Sequence, residues 1–359
     1  MDGSAVATRY WHRTGDGRVQ CDVCPRACRL HEGQRGFCFV RMRQQDAIVL
    51  TTYGRSSGYC ADPIEKKPLN HFLPGSAVLS FGTAGCNLGC RFCQNWDISR
   101  SRETATLADQ AAPQAIALAA ARLGCRSVAF TYNDPVIFLE YAIDVADACR
   151  EAGIKAVAVT AGYMCAQPRA EFFGHIDAAN VDLKGFTGDF YRRVCLAALD
   201  PVLETLLYLR HETGVWLEIT NLLIPDVNDS DAEIDAMARW IAGQLGPDVP
   251  VHFTAFHPDF KMRDRPPTPP ATLTRARRIA MDNGVRYAYT SNVHDPAGQS
   301  TRCHYCGTRV IERDWYQLGA WRLTDDGRCA NCDTPLPGVF DGPPGTWGPR
   351  RLPIRIANR

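Results

Sequence analysis

Three cysteines, Cys86, Cys90 and Cys93, stand in a C-x3-C-x2-C arrangement just after a short apolar run, Ala77–Phe81. Three thiolates on one loop can converge on a single metal ion or iron–sulfur cluster. They leave a tetrahedral or cubane site one ligand short, and an incomplete coordination sphere marks a site that binds something else. The chemistry expected of this loop is therefore that of a metal cluster with one open position.

The chain carries 16 cysteines, and two further groups stand out. Cys303 and Cys306 form one C-x2-C pair, and Cys329 and Cys332 form a second after 22 intervening residues. Each pair brings two thiolates to one metal, and two such knuckles close a tetrahedron, with Gly307 suited to the tight turn. Structural zinc is the leading reading, with rubredoxin-type iron or an auxiliary iron–sulfur cluster as alternatives. Cys21, Cys24, Cys28 and Cys38 also supply four thiolates, for zinc or a second [4Fe-4S] cluster; both stay open. The remaining five (Cys60, Cys125, Cys149, Cys165 and Cys195) read as buried small hydrophobes.

With 359 residues, 45% hydrophobic and 22% charged, the composition is that of an ordinary globular chain. A formal net charge of +1 offers no electrostatic case for nucleic acid or a membrane surface. The N-terminal residues lack the apolar core of a signal peptide, and no run approaches a membrane span. A cytoplasmic location is expected, where clustered cysteines argue for metal ligation over disulfides.

The elements that must position these cysteines alternate. Short apolar, β-branched runs at Ala77–Thr83, Ser127–Tyr132, Ala156–Thr160, Ala179–Leu183, Val215–Leu223, Val249–Ala255 and Val285–Tyr289 read as strands buried on both faces. Helices are expected between them: over Leu107–Leu123, over Pro135–Ala152 behind an Asp134–Pro135 start, and from Ser230 with Glu233 completing a capping box. Gly153 suits the residue just past a helix end. Such alternation implies a parallel sheet, doubly wound or barrel-like, with ligands at the C-terminal strand ends. There the chain places Asn133 and Asp134, Thr160, Asp182 and Lys184, Asn221, and His257. Residues 71–75 (HFLPG) read as a linker into this core, and Ala47–Tyr53 as a strand of a preceding module. The Pro-, Gly- and Arg-rich segment after Cys332 reads as extended.

The cysteine loop, with Phe92 before its last cysteine, resembles the signature of the radical S-adenosylmethionine (SAM) superfamily. The phrases FLPG (72–75), FGTAGC (81–86), CQNWDIS (93–99), TYNDP (131–135), NVHDP (292–296), GQS (298–300) and IERDWY (311–316) resemble the AmmeMemoRadiSam-system radical SAM enzymes, relatives of the pyruvate formate-lyase activating enzymes. That resemblance spans about residues 20–340. It implies an α/β fold: a partial (β/α)6 TIM-like barrel over 76–291, a cysteine-rich N-terminal module over 1–75, and a zinc-ribbon-like C-terminal module with an extended tail over 292–359.

It further implies that Cys86, Cys90 and Cys93 hold a [4Fe-4S] cluster whose fourth iron is chelated by SAM. An electron from the cluster then cleaves SAM to a 5′-deoxyadenosyl radical, which abstracts hydrogen from a substrate. By position, Asn133 and Asp134 occupy a turn against the SAM amino group, although the two glycines usual there are missing and Asp134 could serve only as a helix cap. Asp182 and Lys184 fall near the SAM carboxylate, and His257 near its ribose and adenine. Thr160 and Asn221 are further candidate contacts. A flavodoxin or ferredoxin is the expected electron donor, a protein is one substrate option, and AMMECR1-like and Memo-like proteins are expected associates. A glycyl-radical-enzyme activase is the alternative activity, and a non-catalytic metal-dependent binding module is the alternative from another class.

Overall fold

The computed structural model describes residues 5–101 and 109–356. Its centre is one nine-stranded sheet. In chain order the strands are β1 (Tyr59–Pro63), β2 (Ala77–Phe81), β3 (Ser127–Phe130), β4 (Lys155–Thr160), β5 (Ala178–Asp182), β6 (Trp216–Leu223), β7 (Val251–Ala255), β8 (Ala288–Ser291) and β9 (Leu352–Ile354). Spatially they run β8-β7-β6-β5-β4-β3-β2-β1-β9. From β2 to β8 every neighbouring pair is parallel, and β1 joins β2 and β9 antiparallel.

Because β2 to β8 lie side by side in chain order, every crossover steps the same way. Right-handed crossovers then put all the helices on one face, which gives a barrel-type wall and not a doubly wound sheet. The crossover helices are α1 (Pro113–Arg122), α2 (Leu139–Glu151), α3 (Ala166–Phe173), α4 (Asp200–Glu212), α5 (Asp231–Trp240) and α6 (Pro270–Asp282). Six strand–helix units are followed by the seventh parallel strand. No pairing joins β8 to β1 or β9, so the wall stays open.

Local chemistry explains most boundaries. Asp134 accepts from Val136 N and caps a tight turn, Pro135–Phe138, that precedes α2 proper. Gly153 follows α2 with φ 71°, the left-handed geometry of a helix terminator. Ser230 accepts from Glu233 N, but the Glu233 carboxylate accepts from Phe186 N, so only half of the capping box forms. The last parallel strand starts at Ala288, not Val285, because Val285 N is still bonded to Ala280 O at the end of α6. The expected start of the first helix, Leu107, lies outside the described residues; α1 begins at Pro113.

Two expectations about organisation change. Strand β1 and residues 64–75 belong with the barrel wall and not with a module ending at 75. The expected linker is buried: His71, Phe72 and Leu73 are at most 2% exposed. It runs along the concave face. Asn180 of β5 donates to Pro68 O, the Glu218 carboxylate of β6 accepts from Asn70 N and His71 N, and His71 Nε2 meets Tyr289 Oη at 2.6 Å. Backbone amides that would otherwise be orphaned inside the wall are thereby satisfied.

The N-terminal residues form two small three-stranded sheets, one containing Ala47–Leu50. They are tied to the barrel by a buried ion pair, Arg41 to Glu140 of α2 at 2.6 Å. At the other end, a hairpin (Arg309–Asp314 with Gln317–Trp321) packs its own small core of Val310, Ile311, Leu323, Leu336 and Phe340. No helix among the described residues is long and apolar enough to cross a membrane.

Candidate active site and metal centres

The loop after β2 is held in shape before any cofactor is considered. Gly85 N donates to Ile98 O, Gly89 N to Cys195 O and Arg91 N to Val194 O, while Asn87 Nδ2 reaches Tyr163 O. Asn133 bridges back, accepting from Thr83 N and donating to Gly85 O. Two glycines permit this closeness. A Cβ on Gly85, at φ 82°, would lie 1.9 Å from Cys38 O, and one on Gly82 would lie 2.3 Å from Thr131 O.

The three thiols of this loop line one cavity of about 260 Å³ at the C-terminal ends of β2–β7, together with Asn133, Asp134, Thr160, Asp182 and Lys184. Asp134 accepts from Thr160 Oγ1 at 2.9 Å and Ala161 N at 3.0 Å; burial pushes its carboxyl up. It is a helix cap and a cavity wall at once. Lys184 Nζ sits 2.9 Å from Asp182, with its side chain 16% exposed. Burial works against its charge, but Asp182 outweighs it and pushes Lys184 well up. Burial raises the Cys86 and Cys93 thiols, and Cys90 is raised by its bond to Cys195 and by burial. Thiols this reluctant to ionise alone become good ligands once a cation is supplied.

Tyr132 settles the missing glycines. It takes φ 69°, the left-handed conformation a glycine would adopt without cost, and its hydroxyl donates to Asp62 at 3.1 Å. The turn survives with a side-chain anchor, against a backbone penalty of roughly 1–2 kcal/mol.

Asn221 and His257 lie off this cavity. Side chains alternate along β6, so Thr220 and Leu222 face the cavity while Asn221 points to the other side and donates to Leu183 O. His257 is exposed beyond β7, its Nδ1 3.1 Å from Pro258 O. In their place Thr220, Thr254 and Asn292 line the wall. For Thr220 and Thr254 the period-two pattern is a readable signal, and Asn292 opens the NVHDP phrase (292–296).

The other two cysteine groups differ in geometry. Cys303, Cys306, Cys329 and Cys332 bring their Sγ atoms within 4.8 Å of one another and can hold a metal ion. Cys303 lies 3.6 Å from Cys332 and Cys306 3.7 Å from Cys329. A tetrahedron with metal–sulfur bonds of about 2.3 Å needs sulfur separations of roughly 3.8 Å. The Thr308 hydroxyl and backbone hold the Cys306 thiol down to about 5.

Cys21, Cys24, Cys28 and Cys38 do not gather so tightly. They surround a separate cavity, also lined by Arg26, Phe37, Asn87 and Val136. Burial raises the Cys21, Cys24 and Cys38 thiols. This cavity is close to the first along the chain: Asn87 follows Cys86, and Val136 comes two residues after Asp134.

The radical SAM superfamily's sequence profile matches residues 81–240, which hold the three-cysteine loop and strands β3 to β6. The uncharacterised protein MJ0808 of Methanocaldococcus jannaschii is 39% identical over 324 residues, covering 90% of this chain and 96% of its own. The chain belongs to the radical SAM superfamily. Among solved structures, a domain of the pyruvate-formate lyase-activating enzyme from Bacteroides vulgatus aligns with TM-score 0.41 and 19% identity, over 46% of this chain and 98% of that one. A radical SAM methyltransferase from Sphaerobacter thermophilus aligns with TM-score 0.48 and 17% identity, over 82% and 81%.

Proposed function

We propose that the chain is a radical SAM enzyme in which Cys86, Cys90 and Cys93 hold a [4Fe-4S] cluster and the cavity beside them takes SAM. When bound, the cluster supplies an electron to SAM, and the released 5′-deoxyadenosyl radical abstracts hydrogen from a substrate. The observation that carries this reading is the convergence of three thiols, Asp134 and the Asp182–Lys184 pair on one cavity.

Each residue has a task there. Lys184, kept charged and aimed by Asp182, offers charge-assisted donors to the SAM carboxylate. Asp134, fixed by Thr160 and Ala161, faces the amino group, whose positive charge offsets the burial penalty on its carboxylate. Leu88, Phe92, Val159 and Leu222 give the cavity apolar walls that exclude water from a reactive intermediate.

The C-terminal four cysteines fit zinc, by their near-contact spacing. The N-terminal four fit a second [4Fe-4S] cluster, because thiolates bound to separate irons must stand around a volume and not around a point. Its closeness to the first site suits electron entry from a flavodoxin or ferredoxin in a reducing cytoplasm. Anaerobic reconstitution followed by reduction with SAM tests the central reading. It should give a SAM-perturbed cluster EPR signal and 5′-deoxyadenosine; a fully loaded cluster that yields neither overturns it.

A further inference from the structure

A second cavity, of about 420 Å³, opens from the first and shares Thr131, Thr220, Thr254 and Asn292 with it. Three parts of the chain that are distant in sequence complete its wall. Glu65–Asn70 of the buried segment contributes Lys66 and Lys67, the C-terminal hairpin contributes Arg313 and Tyr316, and the tail contributes Arg351.

The charges do not balance. Lys66 and Lys67 both bond to one carboxylate, Asp62, each at 2.9 Å. Arg313 faces Glu65 at 3.8 Å and donates to Thr301 Oγ1 and Asn70 O. Four cations thus meet two carboxylates, Arg351 reaching the Cys60 thiol and feeling Asp62 beyond it. Burial works against charge on both sides here, raising Glu65 and lowering Lys67 to about 8. Lys67 and Arg313 are 3% and 1% exposed, so water cannot compensate this excess well. Glu65 Oε2 and Thr254 Oγ1 are buried with no hydrogen-bond partner among the described residues. Lys66 and Arg351 reach solvent and mark the mouth.

We propose that this chamber is the substrate site and that it takes a small anionic molecule carrying phosphate or carboxylate groups. Lys66 and Arg351 meet the anion at the mouth, Lys67 and Arg313 bind it at depth, and the Thr220 and Thr254 hydroxyls present its far end to the first cavity. The four-cysteine C-terminal module then has a catalytic-site role: it holds the hairpin that delivers Arg313 and Tyr316. The assignment rests on the first cavity being the SAM site, but the two can fail separately.

Isothermal titration calorimetry on the anaerobically reconstituted full chain, with inorganic pyrophosphate in one arm and succinate in the other, tests it without passing through turnover. One of the two anions should bind with one-to-one stoichiometry, and the better binder identifies the group. Lys66→Ala, at a half-buried position, and Arg351→Ala, at an exposed one, should each weaken that binding about tenfold while leaving SAM affinity unchanged. Tyr316→Ala should weaken it less, with the fold intact by circular dichroism. Binding of neither anion at tens of millimolar, or binding indifferent to both cationic substitutions, overturns the proposal. Anion binding without any SAM binding would leave this site standing and refute the neighbouring one. SAM cleavage without anion binding would do the reverse.

Discussion

The two four-cysteine groups at the ends of the chain have the same ligand count and different architecture. At the C-terminal end the sulfurs stand 3.6 and 3.7 Å apart in pairs, around a point that can hold a single ion. At the N-terminal end four thiols ring a cavity, next to the three-cysteine cavity of the barrel. Ligand number alone does not distinguish a structural metal from a cluster; the arrangement of the sulfurs is what supports reading the two groups differently. The difference follows from how each group is held. The two C-terminal knuckles face each other, so that Cys303 meets Cys332 and Cys306 meets Cys329 across them. Cys21 to Cys38 are instead spread over one strand and two loops that lean on the barrel through Arg41 and Glu140.

Substitutions can break this comparison. The largest effect is expected from Cys90→Ala, which should abolish 5′-deoxyadenosine formation while the iron proposed for the N-terminal group remains, read by iron and sulfide analysis. Next, Cys329→Ser should release the C-terminal metal and unfold the core around Val310, Ile311 and Phe340. Structural zinc supplies on the order of 10 kcal/mol to such a module, so proteolysis within residues 303–336 should become rapid while the barrel resists.

Smaller effects sharpen the account of the barrel. Lys184→Met should weaken SAM binding roughly ten- to hundredfold, the worth of one charged hydrogen bond, with cluster content unchanged. A further effect, on stability, concerns pH. Burial pushes His71 down to about 4, so below its ordinary value of 6.5 the unfolded chain takes up a proton that the native chain refuses. Stability is therefore complete above about pH 6.5 and falls through the window down to about 4, by up to about 3 kcal/mol. Glu218 acts in the same direction: burial would raise it, but the His252 bond holds it low, and that stabilisation is also lost in acid. His71→Gln should flatten the acid limb of a thermal-denaturation profile.

What could be read in the sequence follows from range. The β2–β7 strands were legible because burial on both faces writes itself as apolar runs, and the three cysteine groups were legible from spacing. Segment 71–75 was misread, since Pro74 and Gly75 are turn residues and nothing local announces Glu218, 147 residues away from His71, as the partner of its backbone. Asn221 failed on phase: one residue along β6 turns a side chain from the cavity to the far face. The second chamber was invisible, because Lys66, Arg313 and Arg351 meet only after folding.

Metal and sulfide counting on anaerobically purified, fully loaded protein tests the central contrast most directly. The account predicts one zinc and two four-iron clusters, about eight iron with equal sulfide per chain. Cys24→Ala should remove only one cluster, and Cys303→Ser only the zinc. A chain with two zinc and about four iron, its N-terminal group holding zinc, would contradict it.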